Sequence, residues 1–383
     1  MNGTNRRHFL KALFAIVPVA KAPWSWGRDS WPIVSNDSVH RLRPGSECIG
    51  TDFLRTDESL TNGWVPVIKV IGVGVGGAGC NVAEHMISLG AQGVEFVCLD
   101  ADAQALKTSR ASTKLHLGAG LDAGGCPEAG RRMAEAHRDQ IVAMLRGAHM
   151  AFITTGMGDG TGTGVAPFIA KAAHEMGILT VAIVTEPFEL EGERISLATQ
   201  GIHELAQHVD SLITVPNEKL AGLLGRDVSV LEVFHAADDL LRNVICEIAA
   251  IITAPGLVNV DFEDVRMVMS EKGKVVIGSS SAAGVDRARF AAEQATTGSP
   301  HGDIRIDRAR SILVCITASR SLGMKEVKDV MNIIRSQAAA NATIIFGTAA
   351  DDAMNGNLRV TVVATGINAS DVSTKAMTTD ESC

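Results

Sequence analysis

The sequence predicts an α/β fold: a parallel sheet covered by helices on both faces, then a long central helix and a smaller α+β domain. Three observations carry this. From Val65 onward, short apolar runs alternate with stretches of helical period, the pattern of a parallel sheet rather than of hairpins. Those runs are apolar almost throughout, as strands buried on both faces must be. Aromatic residues make up 4% of the chain and tyrosine is absent, so the cores must be aliphatic and alanine-rich within an apolar share of 46%. A length of 383 residues suits two domains.

The elements follow in order. Val67-Ile68-Lys69-Val70-Ile71 is a strand, followed by glycines and a helix that runs through Met86 and Ile87. Val94 to Leu99 is a second strand, ending in Asp100 and Asp102. A glycine-rich stretch, 118–130, opens a helix at Pro127-Glu128, where a proline at the start and an acid in the first turn both suit a helix N-terminus. Then come strand 151–155, helix 167–176, strand 179–185, helix 195–208 and strand 211–215. A long helix, 228–253, is stopped by Pro255-Gly256. Helix 261–271, strand 275–278, helix 284–296, strand 311–318, helix 324–337 and strands 342–347 and 358–364 build the second domain. The domain reading is therefore an N-terminal extension at 1–64, a parallel-sheet domain at 65–227, the central helix at 228–254, a second domain at 255–368 and a polar tail at 369–383.

Composition narrows the function. A net charge of −8 argues against a general nucleic-acid surface. No apolar run is long enough to span a bilayer, so direct membrane insertion is not expected. The seven cysteines (Cys48, Cys80, Cys98, Cys126, Cys246, Cys315, Cys383) show no CxxC pairing and read as reduced thiols. Against this, Arg6-Arg7, the short apolar stretch 12–20 and Ala20-Lys21-Ala22 resemble a twin-arginine export signal. A nucleotide-using protein favours the cytoplasm, because the periplasm offers little nucleoside triphosphate. Residues 23–63 lack periodicity and read as a linker.

Two glycine motifs carry the chemistry. Gly74-x-Gly76-x-x-Gly79 follows the first strand and opens a helix, with Asp100 closing the next strand. On its own this is a dinucleotide fingerprint, and it keeps a nicotinamide-type oxidoreductase open as a reading. Gly158-Asp159-Gly160-Thr161-Gly162-Thr163-Gly164 follows strand 151–155. Its backbone N–H groups can close around an anion, threonine hydroxyls add donors, and the helix behind adds its dipole. Two facing turns suit the polyphosphate of one mononucleotide better than a dinucleotide. The loop lacks the P-loop lysine.

These loops, with Thr185-Glu186-Pro187-Phe188, Glu191-Gly192, Val215-Pro216-Asn217-Glu218-Lys219-Leu220, the stretch from Gly256 to Val265 and the stretch from Leu358 to Gly366, resemble the FtsZ family of tubulin-like GTPases. The resemblance covers residues 65–368 in one order. It implies a tubulin/FtsZ-like fold and a GTPase, with GTP/GDP and Mg²⁺ as cofactors, that polymerises head to tail for septal-ring cell division. It implies first-turn nucleotide contacts at Gly76, Gly77, Ala78, Gly79, Cys80 and Asn81, and the signature phosphate loop at Gly160, Thr161, Gly162 and Thr163. Glu191 would meet the ribose, Arg194 the phosphates, Asn217 and Asp238 the guanine, and Phe234 would stack on the base. Asn259, Asp261 and Asp264 would reach the nucleotide of the next subunit, where carboxylates orient or polarise the attacking water. Read without the resemblance, Asp261, Glu263 and Asp264 are simply acids favoured by a helix N-terminus.

The chain departs from its relatives at the nucleotide. Asp159 and Asp122 stand where glycine is usual, and Asp100-Ala101 replaces Asn-Thr. The stretch 191–201 is one residue short and 72–75 two residues long. At an effective dielectric of about 20, a carboxylate about 4 Å from a phosphate charge costs on the order of 4 kcal/mol unless a cation intervenes. Either Asp159 or Asp122 helps hold Mg²⁺, or phosphate binding is weakened and the chain is a slow GTPase or a filament-forming paralogue with little hydrolysis. The end, Thr378 to Cys383, does not match the apolar-basic peptide by which family members dock division proteins, which puts ordinary recruitment to the ring in doubt while division proteins stay open as partners and the filament-forming core could remain.

Overall fold

The computed structural model describes residues 68–118, 123–225, 227–253, 258–297 and 306–367. The N-terminal extension with its twin-arginine-like segment, Asp122, the Pro255-Gly256 stop and the polar tail lie outside the described residues.

The first half reads β1 (Val70–Val75), α1 (Gly76–Ser88), β2 (Glu95–Asp100), α2 (Ala103–Thr108), β3 (Thr113–His116), α3 (Pro127–Ala136), α4 (Arg138–Leu145), β4 (Met150–Gly156), α5 (Gly160–Glu175), β5 (Leu179–Glu186), α6 (Glu193–Leu205), β6 (Ser211–Pro216) and α7 (Asn217–Leu224). Six strands form one sheet in the order β3-β2-β1-β4-β5-β6, with every pairing parallel. The order reverses between β1 and β4, where Val75 pairs with Thr155. In open α/β sheets a ligand crevice forms outside the carboxyl ends of the strands at such a switch point. Both glycine motifs begin there.

The second half is α8 (Val230–Thr253), α9 (Phe262–Met269), β7 (Lys274–Ala283), α10 (Arg287–Thr297), β8 (Ser311–Ala318), α11 (Met324–Gln337), β9 (Thr343–Ala350) and β10 (Asn357–Ile367). Its sheet has the order β7-β10-β8-β9, antiparallel except for the β8–β9 pair. β7 runs further than the predicted 275–278, because Ser279, Ser280 and Ser281 pair in the ladder with Thr361, Val360 and Arg359, and Ser279 Oγ lies 2.8 Å from Thr361 Oγ1.

Three aliphatic cores hold these layers. One face of the large sheet packs on α3 to α6 through Ile71, Val73, Leu99, Ile153, Val165 and Ile169. The other face shares a core with α8, α9 and the small sheet, where Leu241, Val244, Ile245 and Ile248 lie among Met150, Leu179, Leu313 and Val363. The far face of the small sheet is covered by α10 and α11. Alanine lets the helices approach closely: Ala166, Ala170 and Ala173 are fully buried on α5.

One prediction is corrected here. The helix expected from Pro167 begins seven residues earlier, at Gly160. Glycine and threonine are weak helix formers, but Asp159 caps the start and the close crossing of α3 demands residues without bulk. Pro167 therefore sits inside the helix, where it cannot donate to the preceding turn.

Candidate functional site

The two glycine turns meet. Gly76 opens α1 with φ +67°, a left-handed conformation that only glycine holds without strain. A Cβ there would lie 3.4 Å from the Gly162 amide nitrogen and 3.6 Å from Asp159 Oδ2, so the β1 turn faces the α5 N-terminus. Among the described residues, a Cβ on Gly77 would stand in open space beyond its own helix. Gly79 packs tightly, since a Cβ there would collide with the carbonyl of Thr154 on β4. Cys80 is buried beneath the turn, with its Sγ 3.6 Å from the Gly74 carbonyl. The hydrogen bond with Cys98, together with burial, drives its thiol pKa upward, which keeps it protonated. Asn81 is exposed next to it.

The second turn is braced from within. Thr163 is 2% exposed and its Oγ1 accepts from the Gly158 N–H at 2.8 Å, so this hydroxyl supports the loop rather than facing outward. The Gly160 N–H donates to the Gly124 carbonyl at 2.7 Å, which ties the 123–126 segment to the start of α5. Asp159 Oδ1 accepts from the Gly162 N–H at 2.6 Å. Thr161 is buried.

Arg194 reaches this turn: its Nε donates to the Gly158 carbonyl at 3.3 Å, and Nη1 pairs with Glu191. Glu191 also accepts from the Phe188 N–H at 2.8 Å. The two residues expected at ribose and phosphate are thus bound to each other and to the phosphate turn. Phe188 is a residue sequence reasoning did not single out. Its ring lies 6.0 Å from that of Phe234, which is 46% exposed. Its place in the Thr185-Glu186-Pro187-Phe188 motif, beside the expected stacking ring, was the available signal.

Asn217 and Asp238 are both set into the protein. Asn217 begins α7 directly after β6, is 5% exposed, and its buried Oδ1 has no hydrogen-bond partner among the described residues. A buried acceptor left in this state is costly unless a ligand donates to it. Burial pushes the Asp238 carboxyl up to about 6, partly offset by His85 and His235, while Asp239 adds to the rise. His85 Nε2 and Asp239 Oδ1 are 2.8 Å apart.

Asn259, Asp261 and Asp264 lie elsewhere. All three are exposed, while Val260 is buried between them. The loop is pinned to β9 by the Val258 N–H donating to Thr348 Oγ1 at 2.8 Å. Asp261 starts α9 without capping it through its side chain. α9 lies against the amino ends of the large sheet: Phe262 meets His149 before β4, Arg266 donates to the Gly177 carbonyl before β5, and Ser211 at the start of β6 bonds the Met269 carbonyl. The glycine turns stand at the carboxyl ends of the same strands. Between the two ends runs α8, 24 residues or about 36 Å. Its Phe234 side meets Phe188 beyond β5, and its last residue, Thr253, packs on Gly93 before β2.

Among the described residues no group of three or more His, Cys, Asp or Glu could hold a metal ion. No helix among them is long and apolar enough to cross a membrane.

Comparison with known proteins agrees with this geometry. Residues 69–225 match the model of the Tubulin/FtsZ family GTPase domain, and residues 273–368 that of the FtsZ family C-terminal domain. The cell division protein FtsZ of Pseudomonas aeruginosa is 52% identical over 308 residues, covering 79% of this chain and 78% of that protein. An empty FtsZ dimer from M. jannaschii superposes with a TM-score of 0.75 at 37% identity, over 81% of this chain and 90% of that one. CetZ2 of Haloferax volcanii, solved as a GTPγS-bound protofilament, shares the fold at a TM-score of 0.67 and 20% identity, over 79% and 94%. The chain belongs to the FtsZ family and is a GTPase of the tubulin-like fold.

Proposed function

We propose that the chain binds GTP at the β1–β4 switch point and hydrolyses it within a head-to-tail filament that serves cell division in the cytoplasm. One observation carries the assembly: Asp261 and Asp264 lie at the amino end of the large sheet, and the glycine turns at its carboxyl end. No side chain spans about 36 Å, so these carboxylates serve the nucleotide of a neighbouring copy. A contact between opposite ends of one molecule is heterologous and does not close, which generates a filament.

The residues divide the work. Asn217 Oδ1 and the Asp238 carboxylate accept from the guanine N1–H and amino group, and Phe234 covers the base with Phe188 behind it. Gly76 to Asn81 and the start of α5 receive the phosphates, Arg194 supports that turn, and Glu191 opens toward the ribose. A carboxylate of Asp261 or Asp264 from the next copy orients the attacking water and accepts its proton, with Asn259 beside it. Mg²⁺ is expected on the nucleotide phosphates and waters, the usual habit of this ion.

Sedimentation with GTP over a range of protein concentrations, with phosphate release followed in parallel, tests this. Release that rises steeply above a threshold concentration, together with pelleting, is the expected result. Pelleting without release would remove hydrolysis from the reading, and release linear in protein from the lowest concentrations would remove the shared site.

A further inference from the structure

Asp159 lies between the two turns that the phosphates would occupy. Its Oδ1 accepts from the Gly162 N–H at 2.6 Å, the third amide of α5, and its Oδ2 lies 3.6 Å from where a Cβ of Gly76 would stand. As a helix cap alone this is ordinary, since aspartate is among the preferred N-cap residues. Two further facts set it apart. Gly158 and Gly160 have already committed their amides to Thr163 and Gly124, and the Gly162 amide at this end of the helix goes to Asp159. The carboxylate spends that donor and turns its second oxygen toward the facing turn. The site is otherwise built for a ligand, as the unpartnered Asn217 Oδ1 indicates at its base end.

We infer that Asp159 is a built-in anion holding the phosphate place between the β1 turn and the α5 N-terminus, so that a nucleotide binds by displacing it. The inference rests on the guanine-nucleotide reading above. A charge inside the site then opposes ligands in proportion to the phosphate charge they carry. GTP suffers most, GDP less, and guanosine not at all. Neutralising the phosphates with a cation lessens the penalty.

Binding of guanosine, GDP and GTP to the full chain, to Asp159→Asn and to Asp159→Gly, in EDTA and in excess Mg²⁺, tests the inference. Asparagine keeps the capping oxygen and removes the charge, so the fold is retained, which the melting temperature checks. In EDTA, Asp159→Asn is expected to bind GTP about tenfold more tightly, a gain of about 1.4 kcal/mol. The gain should be smaller for GDP and absent for guanosine, and should shrink in Mg²⁺. Asp159→Gly should show the same order of gains.

Four outcomes overturn it. Unchanged GTP and GDP affinities make Asp159 a cap only. Weaker binding of GTP in Mg²⁺ makes it a metal-holding group instead. An equal gain for guanosine makes the effect one of loop shape. Failure of every version to bind all three ligands defeats the guanine reading itself, and this inference with it.

Discussion

The imidazole of His149 and the ring of Phe262 meet edge-on, with centroids 6.3 Å apart and planes at 80°. His149 is itself fixed, its Nδ1 accepting from the Lys69 N–H at 3.1 Å. Phe262 follows Asp261 directly, so this contact anchors the acidic loop to the amino edge of the large sheet. It sets the polarity of the molecule: the glycine turns at one end, the acidic loop at the other.

That polarity predicts trans-complementation. Asp264→Ala should bind GTP as the parent does, yet hydrolyse it roughly 10²–10⁴-fold more slowly, the usual contribution of a positioned acid–base group. An Asn217→Ala/Asp238→Ala double variant should lose GTP but keep its acidic loop. Neither should release phosphate alone. Mixed, they should recover measurable release, because the loop of the second completes the site of the first. A mixture as inactive as its parts would place the carboxylates in the chain's own site.

Asp238 gives binding a pH dependence whose sign can be worked out. In the proposed site its carboxyl must be ionised to accept from guanine, and burial holds its pKa at about 6. GTP affinity should therefore be flat above pH 7 and fall by up to about tenfold per unit below pH 6. Without nucleotide the same shift acts oppositely. A pKa raised on folding contributes stability that is fully present below the unfolded value of 3.8 and lost as pH rises through about 6. Asp238→Asn should flatten both profiles, as titrated by nucleotide binding and by melting temperature.

Gly130 and Gly164 let α3 cross α5 at close range. A Cβ on Gly130 would collide with the Gly160 carbonyl, and one on Gly164 with the Pro127 carbonyl. Both obstacles are backbone and cannot turn aside. Gly130→Ala is expected to destabilise by about 1–3 kcal/mol and to loosen the phosphate turn with it. Calorimetry with and without GTP should show a lower melting temperature and a smaller nucleotide-induced rise. An unchanged melting temperature would mean that α3 is free to move away.

Much of this was legible because close backbone approach leaves glycines behind. The turns at Gly74–Gly79 and Gly158–Gly164 announce themselves, and the long apolar period of α8 is plain. The short polar elements were not legible. α2 and β3, of six and four residues, are too brief for a period to show. α7 was hidden inside a motif. The start of α5 was misplaced because propensity was outweighed by the Asp159 cap and the crossing with α3. The partnerless oxygen of Asn217 and the use of Thr163 as an internal brace depend on burial, which no local pattern encodes.

Glu247 joins the long helix to the small sheet. It is 4% exposed, accepts from Arg359 Nη1 at 3.2 Å, and bonds the Thr317 hydroxyl. Arg359→Ala would strand a buried carboxylate and should destabilise by about 3–5 kcal/mol, read as a fall in the urea midpoint. Replacing both residues with leucine removes the two charges together. The paired variant should then regain most of the loss, because apolar packing often equals a buried ion pair. Were the double variant no better than the single, the pair would be holding α8 in place through geometry that leucine cannot reproduce. GTP-dependent sedimentation would then fall along with stability, since α8 carries Asp238 at one end and leads to Asp261 at the other.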